Sequence, residues 1–143
     1  MTETTPLRLQ IAVDCADPHP LARFWAEATG MRYEDHSEQV EAMVAAGYAT
    51  YDDTVLIDGR RAWPDAACSD PTGALPRMVF QKVPEPKTAK IRWHLDLHVG
   101  AERRDAEVER LIGLGATRLW DGRQGPHTWV TLADPEGNEF CVA

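Results

Sequence analysis

The chain has 143 residues, of which 43% are apolar and 27% charged, and it carries a formal net charge of −8. Its basic residues are twelve arginines and three lysines with no long run, which excludes nucleic acid and anionic membrane surfaces as partners, and no apolar stretch approaches the roughly 20 residues that span a bilayer. Three scattered cysteines and a start, Met1 to Pro6, without the basic residues and apolar run of a secretion signal lead us to expect a reduced, cytoplasmic protein.

Taken in chain order, Leu7-Arg8-Leu9-Gln10-Ile11-Ala12-Val13-Asp14-Cys15 alternates apolar and mostly polar residues, the period of a half-buried β-strand. Asp17-Pro18-His19-Pro20 then reads as a helix start, an N-cap Asp followed by Pro at the first helical position. Leu21, Phe24, Trp25 and Ala28 recur at helical spacing, and Gly30 suits the residue after the helix. Strand-like segments follow at 31–34, 53–57 and 77–83, with a short inserted helix over 37–46 and a loop-like stretch from Arg60 to Pro76, in which Trp63 is a candidate cover for a groove. Pro84-Glu85-Pro86-Lys87 is a linker stiffened by its prolines.

The first strand then returns. Ile91-Arg92-Trp93-His94-Leu95-Asp96-Leu97-His98-Val99 repeats it at a constant offset of 84. A helix over 102–114 carries Val108, Leu111, Ile112 and Leu114 as its apolar stripe and ends at Gly115. Strands follow at 117–120, 127–132 and 139–142, and the closing strand Phe140-Cys141-Val142-Ala143 matches Phe80-Gln81-Lys82-Val83 at an offset of 60. The order is therefore β-α-β-β-β twice, within one domain over 1–143: module one about 7–83, linker 84–90, module two about 91–143. The expected class is α+β. A helix covers one face of each sheet and twist makes the other face concave, so two modules predict an eight-stranded, open, barrel-like sheet with helices outside and a groove inside.

In the second copy, His94, Asp96 and His98 share the polar face, with Trp93 and Leu95 expected to pack under the helix. Asp96 can orient an imidazole for proton transfer. His127, Trp129 and Thr131 alternate with Thr128, Val130 and Leu132 and should line the same face, Trp129 offering a stacking wall to a flat ligand.

The doubled βαβββ plan, Leu21-Ala22-Arg23-Phe24-Trp25 in the first helix, His94-Leu95-Asp96-Leu97, and Asp134-Pro135-Glu136-Gly137-Asn138 before the last strand together resemble the vicinal oxygen chelate superfamily. That group includes glyoxalase I, bleomycin-resistance proteins and extradiol dioxygenases, and the likeness is greatest to its small glyoxalase-like proteins of unassigned reaction. The resemblance implies metal-ligand slots on the first and last strand of each module, which here hold Gln10, Gln81, His94 and Cys141. The acid expected four residues after Gly137 is replaced by Cys141, and Glu139 lies two residues earlier, roughly 7 Å along the strand. The expectation is a site without metal or other cofactor, in which Gln10 and Gln81 hydrogen-bond an organic molecule.

The function read from these residues is a groove for a small organic molecule, metal-independent, of lyase or isomerase type, with His94 as the proton-transfer group and Asp96 assisting. The ligand-contacting candidates are Gln10, Asp14, Gln81, His98, His127, Trp129, Glu139 and Cys141. Two alternatives stand beside it: a bleomycin-resistance-type protein that sequesters a planar compound without catalysis, and a divalent-metal-dependent lyase, isomerase or dioxygenase in which Glu139 replaces the missing acid. The expected partners are a small-molecule ligand and, by resemblance, a second copy in a homodimer.

Overall fold

The computed structural model describes residues 3–143. The chain divides into two compact units, one ending at Val83 and the other beginning at Pro84.

In the first unit, β1 (Gln10–Cys15) keeps the alternation: Gln10, Ala12 and Asp14 are exposed, while Ile11 and Val13 are half-buried and Cys15 is buried. Next come α1 (Pro18–Thr29), β2 (Arg32–Tyr33), α2 (Ser37–Ala45), a short 3-10 turn (Tyr51–Asp53), β3 (Val55–Ile57), β4 (Arg60–Ala62), β5 (Ala66–Ser69) and β6 (Arg77–Lys82). The sheet order is β1-β6-β5-β2, with β1 parallel to β6 and the other pairs antiparallel. Proline in its first turn starts α1, and Gly30 closes it in the left-handed conformation at φ 77°. Its apolar stripe, Leu21, Phe24, Trp25 and Ala28, is buried, and the helix packs on β5 and β6 over Cys68, Met78 and Phe80.

Two expectations about this unit are corrected. The segment around 53–57 is not a strand of the main sheet: β3 pairs with β4 in a separate hairpin. The stretch taken as loop supplies the missing sheet strand, β5, whose Ala66, Ala67 and Cys68 are all buried. A four-residue strand buried on both faces shows no alternation, so period-2 reading passes over it.

One ion pair fixes the exposed face of this sheet. Arg77 donates to Glu34 at 2.7 and 3.0 Å and to Gln10 at 3.2 Å. The Arg77 hydrogen bond holds the Glu34 carboxyl below its ordinary value against the opposing effect of burial, with His36 and Ser69 helping. A depressed carboxylate contributes stability above its unfolded value, here 4.5, and loses it as pH falls through the folded value. Glu34→Gln should therefore cost on the order of 1 kcal/mol at neutral pH, since Arg77 is half-exposed and screened, and should flatten the fall in melting temperature below pH 4.5. Thermal melts of both proteins from pH 7 to 3 check this.

The second unit contains β7 (Asp96–Leu97), α3 (Ala101–Leu114), β8 (Thr117–Gln124), β9 (His127–Ala133) and β10 (Glu139–Val142). Its sheet order, β7-β10-β9-β8, repeats that of the first unit: first strand beside last, then third, then second. Val108 and Leu111 of α3 are fully buried, as are Leu132, Phe140 and Val142 of the strands the helix packs on. Asp134 builds the turn before β10. Its buried carboxylate accepts the Glu136 and Asn138 amides at 2.9 and 3.0 Å, the Gly137 amide donates to its carbonyl at 2.9 Å, and Gly137 supplies a φ of 86°.

The α+β class and doubled plan hold, but the paired first strands are shorter than the repeat. Leu7 and Leu9 precede β1 and are 87% and 73% exposed, and Trp93 does not lie beneath a helix but is 93% exposed. Alternation predicts a strand only where a neighbour runs beside it. The parallel neighbours begin at Arg77, opposite Gln10, and at Glu139, so residues upstream have no ladder partner. The segment around β7 stays extended through the Cys141 amide donating to Leu95 O and the Ala143 amide to Leu97 O, both at 2.9 Å. Asp14 pairs with Gln81, but in the second unit Asp96 pairs with Cys141, so the two ladders differ by two residues from the sequence repeat. An even shift leaves every side chain on its original face.

Candidate functional site

One face of the second unit's sheet is hollowed into a cleft of about 400 Å³. The period-2 rule decides what lines it: His94, Asp96 and His98 from the β7 segment, Glu139 and Cys141 from β10, His127, Trp129 and Thr131 from β9, and Trp120 and Gln124 from β8, with Lys90 and Ala143 completing it. Seven of the sequence-derived candidates thus meet: His94, Asp96, His98, His127, Trp129, Glu139 and Cys141. Gln10, Asp14 and Gln81 belong to the first unit. Asp14 and Gln81 stand opposite each other on its exposed face, and Gln10 accepts from Arg77 beside a separate depression formed with Arg8, Ser69 and Leu75.

At the centre of the cleft, His94 Nδ1 lies 3.2 Å from Asp96 Oδ1, and both side chains are solvent-accessible. A carboxylate on Nδ1 fixes the orientation of the ring and leaves Nε2 as its other polar atom. Cys141, opposite Asp96 in the ladder, is 9% exposed, and its Sγ sits 3.4 Å from Thr131 Oγ1. Burial pushes the Cys141 thiol up, and the negative charge of Asp96 adds to the rise. A thiol protonated at neutral pH is a poor nucleophile.

Glu139 is engaged elsewhere. Its carboxylate accepts from Lys87 Nζ at 2.9 Å and from the Ile91 amide at 3.2 Å. Burial alone would raise this carboxyl, but those donors outweigh it and hold it below its ordinary value. Glu139 thereby ties the linker to β10 from the wall of the cleft.

The resemblance to the vicinal oxygen chelate superfamily implies a divalent metal, so the donor set matters. His94, Asp96 and Cys141 offer ligand atoms within 4.8 Å of one another. One nitrogen, one oxygen and one sulfur suit a borderline ion such as Zn²⁺, whereas sulfur is a poor ligand for the harder Mn²⁺. Around Zn²⁺ such atoms stand about 3.5 Å apart, so the three would close slightly on an ion.

Four lining residues, Lys90, Trp120, Gln124 and Ala143, escape sequence reading. The signal for Trp120 is present, because β8 and β9 are joined by the two-residue turn Gly125-Pro126. Counting back from that turn places Trp120 opposite Thr131 on the cleft face.

The first unit holds a smaller hollow of about 240 Å³ beside a buried imidazole. His19 is 5% exposed and bridges Tyr33 Oη at 2.6 Å and the Trp63 carbonyl at 2.7 Å, with Arg23 over the Tyr33 ring. Burial pushes the Tyr33 phenol up, partly opposed by Arg23. With both ring nitrogens occupied, His19 ties α1, β2 and the segment after β4 together, and the backbone of Trp63 serves this tie. Among the described residues no helix is long and apolar enough to cross a membrane.

The sequence matches no curated protein. Among solved structures, the chain is similar to a glyoxalase/bleomycin resistance protein/dioxygenase family enzyme from Burkholderia phytofirmans (16% identity, 93% of this chain and 94% of that one covered, TM-score 0.60). It is also similar to a fosfomycin resistance protein, FosX, from Listeria monocytogenes, complexed with Mn(II) and 1S,2S-dihydroxypropylphosphonic acid (12%, 98% and 92%, TM-score 0.65). A third similar structure is a glyoxalase family protein from Bacillus anthracis (15%, 99% and 97%, TM-score 0.58). At these identities the likeness speaks for the fold. The model of the glyoxalase-like domain matches residues 10–143, nearly the whole chain and both βαβββ units, and the protein belongs to that family.

Proposed function

We propose that the cleft of the second unit binds a small organic molecule and that His94, oriented by Asp96, exchanges a proton with it in a lyase- or isomerase-type reaction without a resident metal. The observation that carries this reading is the 3.2 Å contact between His94 Nδ1 and Asp96 Oδ1 on the wall of a cleft of about 400 Å³. Asp96 holds the ring by one nitrogen and stabilises the imidazolium that forms when Nε2 takes a proton. Cys141, kept as a thiol, and Thr131 are short polar groups at the cleft floor that can hydrogen-bond a bound carbonyl or hydroxyl.

A second reading is favoured by the His94, Asp96 and Cys141 cluster. There the three side chains hold a thiophilic divalent ion, which when bound supplies Lewis-acid polarisation of an oxygen on the substrate. Glu139, paired with Lys87, takes no part.

A screen of small carbon acids in D₂O tests the first reading by thermal shift and by deuterium incorporation at carbon. Stabilisation with exchange supports it. Stabilisation without exchange for any ligand sinks the proton-transfer role in favour of plain sequestration. Metal analysis of protein purified without chelator should show no stoichiometric ion, and a tightly held Zn²⁺ lost in Cys141→Ser would replace the first reading with the second.

A homodimer is proposed on the exposure of Leu7, Leu9 and Trp93, at 87%, 73% and 93%. Large apolar side chains left this bare favour cover by a second copy. Light scattering should give twice the chain mass of 16.0 kDa.

A further inference from the structure

The hairpin of β8 and β9 departs from regular pairing at one place. Arg118 stands opposite Leu132, but Trp120 stands opposite Thr131, so Leu119 is the extra residue of a β-bulge. In an unbroken ladder Trp120 would face Val130, which is 2% exposed in the core, and the bulge instead turns its indole into the cleft. Two residues on, Gly122 is the ladder partner of Trp129. A Cβ built on Gly122 would fall 2.1 to 2.4 Å from Nε1, Cε2 and Cζ2 of the Trp129 indole. The indole therefore occupies the space that any other residue's side chain would need. Trp120 and Gly122 lie two residues apart, so the Trp120 side chain and the Trp129 indole over Gly122 share one face. The His127 ring extends this surface, 5.9 Å from that of Trp129.

Bulge and glycine together assemble aromatic surface that no core packing requires, since Trp120 is 46% exposed. The other wall holds His94 and Asp96, and Lys90, Asp96 and the Glu139–Lys87 pair leave the lining with no formal excess of either charge.

We infer that this cleft selects a planar aromatic molecule of one or two rings, stacked on the indoles of Trp120 and Trp129, with Gly122 and the bulge at Leu119 as the positioning residues for that shelf. The inference rests on the proposed ligand-binding role of the same cleft. Offset stacking on the indoles supplies the preference for a flat ring.

Calorimetric titration with 2-naphthoate and with its saturated counterpart decalin-2-carboxylate tests it. The saturated acid should bind at least fivefold more weakly than naphthoate. Trp120→Leu and Trp129→Leu keep apolar bulk but remove the indole, and each should reduce naphthoate affinity threefold or more while leaving the saturated acid unchanged. Gly122→Ala should abolish the planar preference by displacing the Trp129 indole, and circular dichroism on each variant confirms an intact fold. Equal affinity for the flat and saturated acids overturns the inference. Failure of both probes to bind, together with hits of other chemistry in the carbon-acid screen, overturns the inference but leaves the proposed function standing, whereas an empty screen removes both.

Discussion

Alanine in place of His94 should lower turnover of any substrate found for this cleft by about 100-fold or more, because a positioned general acid or base contributes roughly 10² to 10⁴. Affinity should change by less than about threefold, since the ring touches the ligand through a single nitrogen. Asp96→Asn should have a smaller effect on turnover, on the order of tenfold, because it keeps the hydrogen bond to Nδ1 but no longer offsets imidazolium charge. The measurement is steady-state kinetics with a separate titration of binding. Turnover untouched in His94→Ala would remove the imidazole from the chemistry, and a loss confined to affinity would make the cleft a binding site only.

The second large effect is on stability. Phe80 and Phe140 occupy equivalent places in the repeat, on the last strand of each unit, at 0% and 1% exposure. Truncating either to alanine should cost about 3–5 kcal/mol through lost burial and the cavity left behind. In a chain of this size that lowers the melting temperature by roughly 10 °C or more. Equal costs at the two positions would show that the repeat extends to energetics as well as topology. A loss below about 1 kcal/mol at either would mean that its unit repacks around the gap. Trp93→Ala is the contrast: at 93% exposure it has little to lose in the single chain, so a marked drop in melting temperature there would report burial in a dimer.

The sequence by itself determined the repeat, the α+β class, both long helices and the face on which His94, Asp96, His98, His127, Trp129 and Cys141 gather. All of these depend on local periodicity: 3.6 residues for the stripe of α1, two for the strands. It also carried the turn at Asp134 to Asn138, whose geometry follows from Asp, Pro and Gly in fixed places. Only the tertiary structure decided where strands stop, because a strand needs a neighbour, so Leu7, Leu9 and Trp93 alternate in sequence yet stand outside any ladder. Burial on both faces removed the alternation that would have revealed β5. Partner choice added what no local pattern holds: Lys87, 52 residues away in the chain, pairs with Glu139, and the bulge at Leu119 sets the two ends of β8 in different registers against β9. Period-2 alternation is a property of neighbouring residues and is legible in one dimension, whereas ladder ends, bulges and long-range ion pairs arise from contacts that exist only once the chain has folded.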